Sequence, residues 1–533
     1  MQRHIRIGLI IVTLALGWAY TATTVAAAQV DRVVFGSAGF IETNRFWTVS
    51  RPDLLQFDPF LETLLDIDPK TGQYVPRLAE RWESSPDAKT WTFHLRKGVQ
   101  FHYGFGEMTA RDIIHAYQLL SAPDAKGPLT EFWRTVEEVK ALDDYTVVFH
   151  MKVPAVTFLY AASRSADLRV VSKAQWDQEG IEGFDKRPAG TGSYRYVSRK
   201  LGDSVSYERV DNHWSGEKPD FKYLDIILAQ EEASRLALLL SGKAHVVDLS
   251  RQLQEEALRK GMKIFNSQLP VDWVSVYMGG QYYVPGDPKA KAGVPWHDKK
   301  VRQALNMAIN RDEMITSIFK GRAQPVYVSG FTATQDGWNP EWAKQFDATY
   351  GYNPEKSKAL LKEAGYPPKQ LKMTVLGFSS PSEEELPQVA EALSLYFHEI
   401  GLETEVQIGE WSRIRNMIRE KEVHCCIWPN IISLRPIQEW IRAGYYTKEG
   451  VGKIYEDPFI DEKYEAMVQA TDPAVRTRLA REVGDYMFAQ MPDIPLFLLF
   501  NEVVANPKVV SSWTYPGPGG GRATHFHLLK AAK

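Results

Sequence analysis

A mixed α/β (α+β) fold in two lobes is the architecture that this sequence predicts. At 533 residues the chain exceeds what one hydrophobic core usually holds. Residues 30 to about 280 mix short strands with a few helices, whereas residues from about 285 to 495 alternate helix and strand. Strand–helix–strand spacing of that kind is typical of crossover units, so the second half is expected to form a separate α/β lobe.

One segment of the first half, residues 78–101, has the clearest secondary-structure pattern in that half. Residues 78–101, LAERWESSPDAKTWTFHLRKGVQF, predict the end of a helix, an acidic turn and then a strand that ends at a glycine turn. Because side chains alternate along a strand, Trp91, Phe93 and Leu95 share one face. We expect this face, including Trp91, to belong to the core rather than to a binding pocket.

Capping patterns mark the predicted helices. Thr109 and Asp112 form a capping box at the start of one helix. Asp298 can cap a second, and Asn353 followed by Pro354 begins a third. The other predicted elements are a strand over 371–377, a helix over 383–400, a strand over 402–408 with apolar residues on alternate positions, and a buried strand over 494–500.

Composition and the N-terminal segment suggest location and exclude one class of partner. The formal net charge is -3, so the basic surplus typical of nucleic-acid binders is missing. Residues 1–28 look like a cleaved secretory signal, with Arg3 and Arg6 before an apolar run and small residues at 26–28. No Cys follows the run, so a lipid anchor is not expected, and we expect a mature protein free in the periplasm.

Cysteine and histidine usage argues against disulfides and metals. The two cysteines, Cys425 and Cys426, are adjacent, and a bond between strand neighbours would be strained. They are interpreted as small hydrophobic residues of a buried strand. The twelve histidines are scattered, and only His525 and His527 would share a strand face. We therefore expect no metal and no cofactor.

Motifs of common enzymes are missing from the sequence. There is no G-x-S-x-G elbow, no H-E-x-x-H pair and no Walker loop, and the glycine-rich residues 517–521 lack the Lys that a phosphate loop needs. Gly190 and Gly192 are likewise expected to serve a tight turn rather than a phosphate site. A binding protein is favoured over an enzyme.

Several motifs together resemble one protein family. Their order along the chain is that of the peptide- and nickel-type periplasmic solute-binding proteins, family 5, the receptors that feed ABC importers. Ser193 replaces a proline of that family's pattern, and Asn310 replaces an aspartate. The motifs are residues 78–101, 190–194 (GTGSY), 210–214, 239–248, 301–311 (VRQALNMAINR), 364–367 and 400–402.

The resemblance implies a two-lobed periplasmic binding protein fold with an extra subdomain in the N-terminal lobe and two hinge crossings. It also implies partnership with an ABC permease and ATPase complex in the inner membrane, and a monomeric receptor that holds a small-molecule ligand. The expected segments are a signal peptide at 1–28, an N-terminal lobe at 29–280 with a subdomain inserted at about 60–180, a second lobe at 281–495, and a return to the first lobe at 496–533.

The ligand site is expected between the lobes, where one typical residue of the family is missing. Peptide-binding relatives end a strand in W-x-x-D at the cleft, but Ile431 stands at the acid's position after Trp428. Flat rings, amides and one guanidinium surround the gap, and such groups suit stacking and polar contacts. The candidate ligand-binding residues are Trp428, Asn430, Arg435, Trp411, Trp273, Tyr277, Gln281 and Trp47.

Several functions are compatible with this pattern. We favour a receptor for an oligopeptide or a similar amide-containing solute. An oligosaccharide or an aromatic or hydrophobic metabolite is an alternative ligand. A sensor or chaperone that passes ligand to another membrane partner, and a secreted hydrolase, are the alternative functions.

Overall fold

A computed structural model describes residues 30–39, 41–49, 55–127, 129–284, 286–291, 293–379, 384–424, 426–448, 454–514 and 525–533. The predicted signal peptide, Cys425 and the glycine-rich residues 517–521 lie outside the described residues. Within them, no helix is both long and apolar enough to cross a membrane.

The described residues contain strands in every part of the chain. These are β1 (Arg32–Ser37), β2 (Leu65–Ile67), β3 (Tyr74–Pro76), β4 (Ala79–Ser84), β5 (Thr90–Leu95), β6 (Val136–Asp143), β7 (Thr146–Met151), β8 (Tyr194–Lys200), β9 (Ser204–Arg209), β10 (Tyr223–Leu228), β11 (Val246–Val247), β12 (Lys263–Asn266), β13 (Asp272–Met278), β14 (Ala323–Pro325), β15 (Lys372–Ser379), β16 (Glu403–Glu410), β17 (Cys426–Ser433), β18 (Ile494–Leu499), β19 (Glu502–Ala505), β20 (Val510–Ser512) and β21 (Lys530–Ala531).

Helices are longer and more frequent in the second half. They are α1 (Ala110–Ser121), α2 (Thr130–Arg134), α3 (Phe158–Ala161), α4 (Lys173–Lys186), α5 (Glu232–Leu240), α6 (Arg251–Arg259), α7 (Lys299–Met307), α8 (Arg311–Ser317), α9 (Pro340–Tyr350), α10 (Pro354–Glu363), α11 (Leu386–Glu399), α12 (Trp411–Arg419), α13 (Ile437–Gly444), α14 (Pro458–Gln469) and α15 (Pro473–Gln490).

The first lobe is built on a seven-stranded sheet in the order β12-β19-β11-β1-β10-β9-β8. Strand β1 lies parallel to both β10 and β11, and the other pairings are antiparallel. Helices α5 and α6 pack beside β1, β11 and β12. The C-terminal strand β19 lies between β11 and β12, so residues from both ends of the chain share this sheet.

A four-stranded antiparallel sheet, β4-β5-β7-β6, lies within the segment where the sequence predicts an inserted subdomain, and we use that name for it. Trp91, Phe93 and Leu95 are buried on one face of β5, which confirms the predicted core face. The helix end predicted at the start of this segment is wrong, because residues 79–84 form strand β4 on the edge of β5. An edge strand with one exposed side carries the charged residues that, in sequence, suggested a helix.

A close backbone approach explains the GTGSY motif. A Cβ atom added to Gly190 would lie 1.9 Å from the carbonyl oxygen of Phe60, and one added to Gly192 would lie 2.5 Å from that of Pro59. Only glycine fits such contacts. The two glycines therefore allow close packing against residues 59–60, whereas the sequence suggested a tight turn.

The second lobe contains a six-stranded sheet in the order β14-β18-β13-β17-β15-β16, with β15 parallel to β16 and β17. Strands β13 and β18 pair with each other inside this sheet, although the sequence-based boundaries at 280 and 495 divide them from it. Hydrogen-bonded pairing, which local pattern does not reveal, assigns them to this lobe. The chain therefore crosses between the lobes at about 267–271 and 500–501.

The predicted caps of the second lobe are confirmed. The Asp298 carboxylate accepts the Lys300 N–H at the start of α7, and the Asn353 side chain accepts the Lys356 N–H at the start of α10. The apolar alternation predicted over 402–408 holds only in part. Ile408 is 53% exposed because β16 is the outermost strand of the sheet.

Candidate ligand-binding cleft between the lobes

Two adjoining cavities lie between the lobes. The first, which we call the hinge-side cavity, has a volume of about 330 Å³ and includes Leu269 and Pro270 of the first crossing. Its first-lobe wall comes from residues 67–74 and 156–165, and its second-lobe wall from residues 332–336, 434–438 and Arg476. Because both lobes contribute, a ligand here would contact the two lobes at once.

The second, the subdomain-side cavity, has a volume of about 440 Å³. Residues 131–135 and 153–157 of the subdomain form one wall, and residues of α13 and α14 form the other. Val156, Thr157 and Gln438 line both cavities, so the two spaces are neighbours. Cavities of a few hundred Å³ suit small organic ligands.

The two cavities differ in the charges that line them. Arg435 and Arg476 stand in the wall of the hinge-side cavity with one carboxylate, that of Asp336. The subdomain-side cavity is lined by three carboxylates and one guanidinium, which belong to Glu131, Glu439, Glu465 and Arg442. A ligand that spans both cavities would therefore meet positive charge near the hinge and negative charge near the subdomain.

Helix α13 separates these cavities from the sheet behind them. Its apolar side, with Trp440 and Ile441, is buried against the second-lobe core. The Trp440 ring lies 4.8 Å from the Trp273 ring, measured between centroids. On the opposite side, Gln438 and Glu439 line the cavities. The helical period of 3.6 residues thus gives α13 one face for the core and one for the cleft.

Glu439 connects the two walls of the cleft. Its Oε1 atom accepts a hydrogen bond from the Thr157 hydroxyl of the first lobe at 3.1 Å, and its Oε2 atom pairs with Arg442 at 3.1 Å. Burial raises the pKa of Tyr74, with smaller contributions from Tyr160 and the Glu439 charge. The Tyr74 phenol therefore stays protonated at neutral pH and can donate a hydrogen bond inside the cleft.

Arg435 is the one candidate residue from the sequence that lines a described cavity. It follows β17 in the short segment that leads to α13. Its Nε atom donates to the Ser433 carbonyl at 3.3 Å, and its own carbonyl accepts from the Gln335 amide at 2.6 Å. These bonds position the side chain at the wall, where the guanidinium can face a ligand anion.

Four other candidates lie together on one face of the sheet, beneath α13. Cross-strand pairing puts Tyr277 opposite Trp428 and Ser275 opposite Asn430. Trp273, Tyr277 and Trp428 are at most 2% exposed, and Asn430 is buried as well. None of these four lines either cavity, because α13 and its Trp440 cover that face of the sheet; that they contact ligand stays a prediction.

The last three candidates also lie away from the two cavities. Gln281 donates to the carbonyls of Met278 and Pro492 in the second-lobe interior. Trp411 stacks on Phe378, with ring centroids 4.5 Å apart. Trp47 is buried in the first-lobe core between Trp176 and Phe184. Each makes the contacts of a structural residue, so the expectation that it touches ligand is not carried forward.

Several cleft residues were absent from the sequence-based candidates. They come from short segments that no motif marks, and their polarity is the only signal that could have suggested them. They are Thr71, Gln73, Tyr74, Thr157, Tyr160, Ser165, Thr332, Thr334, Gln335, Gln438 and Glu439.

A search of the described residues finds no group of three or more His, Cys, Asp or Glu side chains that could hold a metal ion. His525 and His527 lie with ring centroids 5.7 Å apart, and His525 contacts the Asp66 carboxylate at 3.1 Å. This pair is part of the first-lobe interior rather than of the cleft.

Comparison with known proteins agrees with this architecture. The chain is 28% identical to the dipeptide-binding protein of Escherichia coli over 332 residues, which cover 58% of this chain and 60% of that protein. It is 27% identical to heme-binding protein A of Haemophilus influenzae over 387 residues, which cover 65% and 64% of the two chains. The chain thus spans about half to two thirds of the length of the curated relatives it matches.

Solved structures share the fold over nearly the whole chain. The ABC transporter substrate-binding protein CtaP of Listeria monocytogenes superimposes with a TM-score of 0.77 at 19% identity, covering 95% of this chain and 100% of that chain. The Helicobacter pylori periplasmic binding protein DppA, in complex with the peptide STSA, gives a TM-score of 0.74 at 21% identity, covering 95% and 99%. These likenesses establish the two-lobed periplasmic binding protein fold.

A family model supplies the assignment. The model of the family described as "Bacterial extracellular solute-binding proteins, family 5 Middle" matches residues 73–441, which are more than half of the chain. This span includes the four-stranded sheet of the first lobe, part of each wall of the cleft and the first crossing between the lobes. The chain belongs to the bacterial extracellular solute-binding proteins of family 5.

Proposed function

We propose that this protein is a periplasmic solute-binding receptor that captures a small organic ligand between its lobes and delivers it to an ABC permease and ATPase complex. The observation that carries the proposal is the hinge-side cavity, whose walls come from both lobes and from the first crossing. In this function the protein acts as a monomer. Residues 1–28 direct its export and are then cleaved, and the mature protein has no lipid anchor.

The mechanism is a shift of population between open and closed arrangements. A ligand that contacts both walls gains its full set of contacts only when the lobes are closed. It therefore stabilises closure by the difference between its affinities for the two arrangements. The importer would then recognise the closed receptor. No chemical change of the ligand is needed, so the protein is proposed to act without catalysis.

The ligand class that the cleft favours is an oligopeptide or another amide-containing solute with an anionic group. Arg435 and Arg476 are proposed to face that anion, because guanidinium groups bind carboxylates strongly. Tyr74, Thr157 and Gln335 offer the donors and acceptors that amide groups use. Two relatives named above, the dipeptide-binding protein and the DppA complex with STSA, support this choice.

The decisive test combines ligand discovery with one variant pair. Native mass spectrometry of protein exported to the periplasm should show a bound mass of a small organic molecule, and this molecule should be recovered unchanged after incubation. The Arg435→Met variant should bind it about 10- to 100-fold more weakly, since a hydrogen bond to a charged group contributes about 1.5 to 3 kcal/mol.

A matched control is Arg481→Met, which changes an exposed arginine of the same lobe that lines neither cavity. It should bind like the wild-type protein. Equal affinity of Arg435→Met and the control would remove Arg435 from the site. Chemical conversion of the ligand by the purified protein would show that the protein is an enzyme and not a receptor. A small-angle scattering profile that shows no compaction when a tight ligand binds would contradict the closure mechanism.

A further inference from the structure

On the α11 side of the second-lobe sheet, two adjacent glutamates at the start of α11 reach across to the first lobe. The Glu384 Oε1 atom lies 3.1 Å from Arg235 Nη2 of α5, and the Glu385 Oε1 atom lies 3.2 Å from Arg251 Nη1 of α6. Helix α11 packs on β15, β16 and β17 of the second lobe, whereas α5 and α6 pack on the first-lobe sheet. Both ion pairs therefore cross from one lobe to the other.

The first-lobe partners are already held in place by their own lobe. The Arg235 guanidinium donates to the carbonyls of Ala229, Gln230 and Asp248 at 2.7 to 3.0 Å. Arg251 pairs with Glu502 at 3.3 Å. These contacts can hold the two arginine side chains in the same position when the lobes are apart. Closure then adds the glutamate contacts with little further loss of side-chain conformational entropy.

Glu385 makes a second contact with the first lobe. Its Oε1 atom also accepts the backbone N–H of Arg251 at 3.1 Å, at the first turn of α6. The N-terminus of a helix carries partial positive charge, so a carboxylate there is stabilised. Glu385 is 4% exposed, and its charge would lose these partners on opening.

We propose that Glu385 and Arg251 form an interlobe latch, that the neighbouring contact of Glu384 with Arg235 makes this latch sensitive to pH, and that together they set the balance between open and closed arrangements in the absence of ligand. The latch lies outside the two cavities and acts whatever the ligand is. The latch sets the fraction of ligand-free molecules that are closed. This fraction determines how much binding free energy a ligand must supply to close the remaining molecules.

The two glutamates differ in their electrostatic surroundings, which makes one of them sensitive to pH. Burial raises the pKa of Glu384 to about 7; the charges of Asp248 and Glu385 add to this effect, and Arg235 opposes it. In an open arrangement the Glu384 carboxyl would return toward its ordinary pKa of 4.5. The closed arrangement then binds the proton more tightly, so ionised Glu384 opposes closure at a pH above about 7, and this penalty disappears as the pH falls toward 4.5.

The test uses ligand-free protein, so its outcome is separate from the fate of the proposed receptor function. Small-angle X-ray scattering at pH 8 should give a larger radius of gyration for Glu385→Gln than for the wild-type protein. In the wild-type protein the radius should fall as the pH is lowered from 8 to 5.5. The Glu384→Gln variant, which resembles the protonated side chain, should lack most of that pH dependence.

Glu363→Gln is the matched control, because Glu363 pairs with Lys300 at 3.0 Å within the second lobe. It should scatter like the wild-type protein at both pH values, and thermal unfolding should show that every variant is folded. Once a ligand is known, Glu385→Gln should weaken its binding by about tenfold, a typical coupling between two sites. Identical scattering of wild type, Glu385→Gln and the control, or a pH response retained in Glu384→Gln, would overturn the latch.

Discussion

In the first lobe the buried carboxylate of Glu62 lies against the Arg77 guanidinium, whereas in the second lobe the buried carboxylate of Asp493 lies against the hydroxyls of Ser329 and Tyr445. Each of the two acids is 2% exposed. The two carboxylates are thus equally buried but have different partners: a positively charged guanidinium for Glu62 and neutral hydroxyl groups for Asp493.

The pKa values move in opposite directions as a result. Burial raises the pKa of Glu62, but the charge of Arg77, with a smaller contribution from the His213 side chain, outweighs it and holds the value well below the ordinary range. Burial also raises the pKa of Asp493, and the two hydroxyl donors offset this only in part, leaving it at about 6. The comparison teaches that depth of burial alone does not decide ionisation; the charge of the neighbour does.

The largest effect should come from the apolar core of the second lobe, to which Trp428 belongs. Replacing Trp428 by Ala should lower the free energy of unfolding by about 4 kcal/mol, since a buried tryptophan leaves a cavity. Hydrogen exchange with mass spectrometry should show the loss mainly in second-lobe peptides. Full stability together with lost ligand binding would instead return Trp428 to the ligand site that the sequence suggested.

Breaking the charge pair of the first lobe should cost somewhat less. Arg77→Met leaves the carboxylates of Glu62 and Glu217 without their shared guanidinium, and an uncompensated buried charge costs about 3 kcal/mol or more. Exchange should rise in first-lobe peptides. Arg195→Met is the control, because its pair with Glu208 is partly exposed and should contribute less than about 1 kcal/mol. If Arg77→Met and Arg195→Met lowered the free energy of unfolding equally, the buried ion pairs would contribute no more than the partly exposed one.

Changing Asp493, the acid that contacts neutral hydroxyl groups, should have the opposite sign. Asp493 has a raised pKa, so its ionised form opposes folding at a pH above about 6, and this penalty disappears as the pH falls toward the ordinary value of 3.8. Asp493→Asn should therefore raise the free energy of unfolding by about 2 kcal/mol at pH 8 and by much less at pH 4. Denaturant unfolding at the two pH values checks this. A destabilised variant at pH 8 would show that the carboxylate has a cationic partner.

An exposed ion pair should have almost no effect, and this sets the lower end of the scale. Lys344 and Glu341 lie 2.6 Å apart on the surface of α9. Glu341→Gln should change the free energy of unfolding by less than about 0.5 kcal/mol, as exposed helix pairs usually do. A change above about 1 kcal/mol would mean that exposure is a poor guide to the strength of ion pairs in this protein.

Local patterns predicted much of the secondary structure. Thr109 with Asp112, Asp298 and Asn353 each begin a helix because a side-chain oxygen near a helix start accepts free backbone N–H groups. The buried faces of β5 and β18 follow from alternation and from an unbroken apolar run. These signals depend on neighbours within a few residues, so the sequence alone contains them.

The candidate site was predicted less well, and the reason is visible at α13. A tryptophan such as Trp428 looks the same in sequence whether its ring faces a cleft or another helix. Only the packing of Trp440 against Trp273 decides between these, because it brings together residues that are 167 positions apart in number. Arg435 lines the hinge-side cavity, and its contact with a ligand anion stays a prediction.

The sequence by itself determined the family, the order of most elements and the division into two lobes, since all three rest on motifs and periods read along the chain. The tertiary structure alone decided where the lobes join, which polar residues face each other across the cleft, and that Arg235 meets Glu384. Such contacts depend on how sheets and helices pack in space, and distance along the chain does not reveal them.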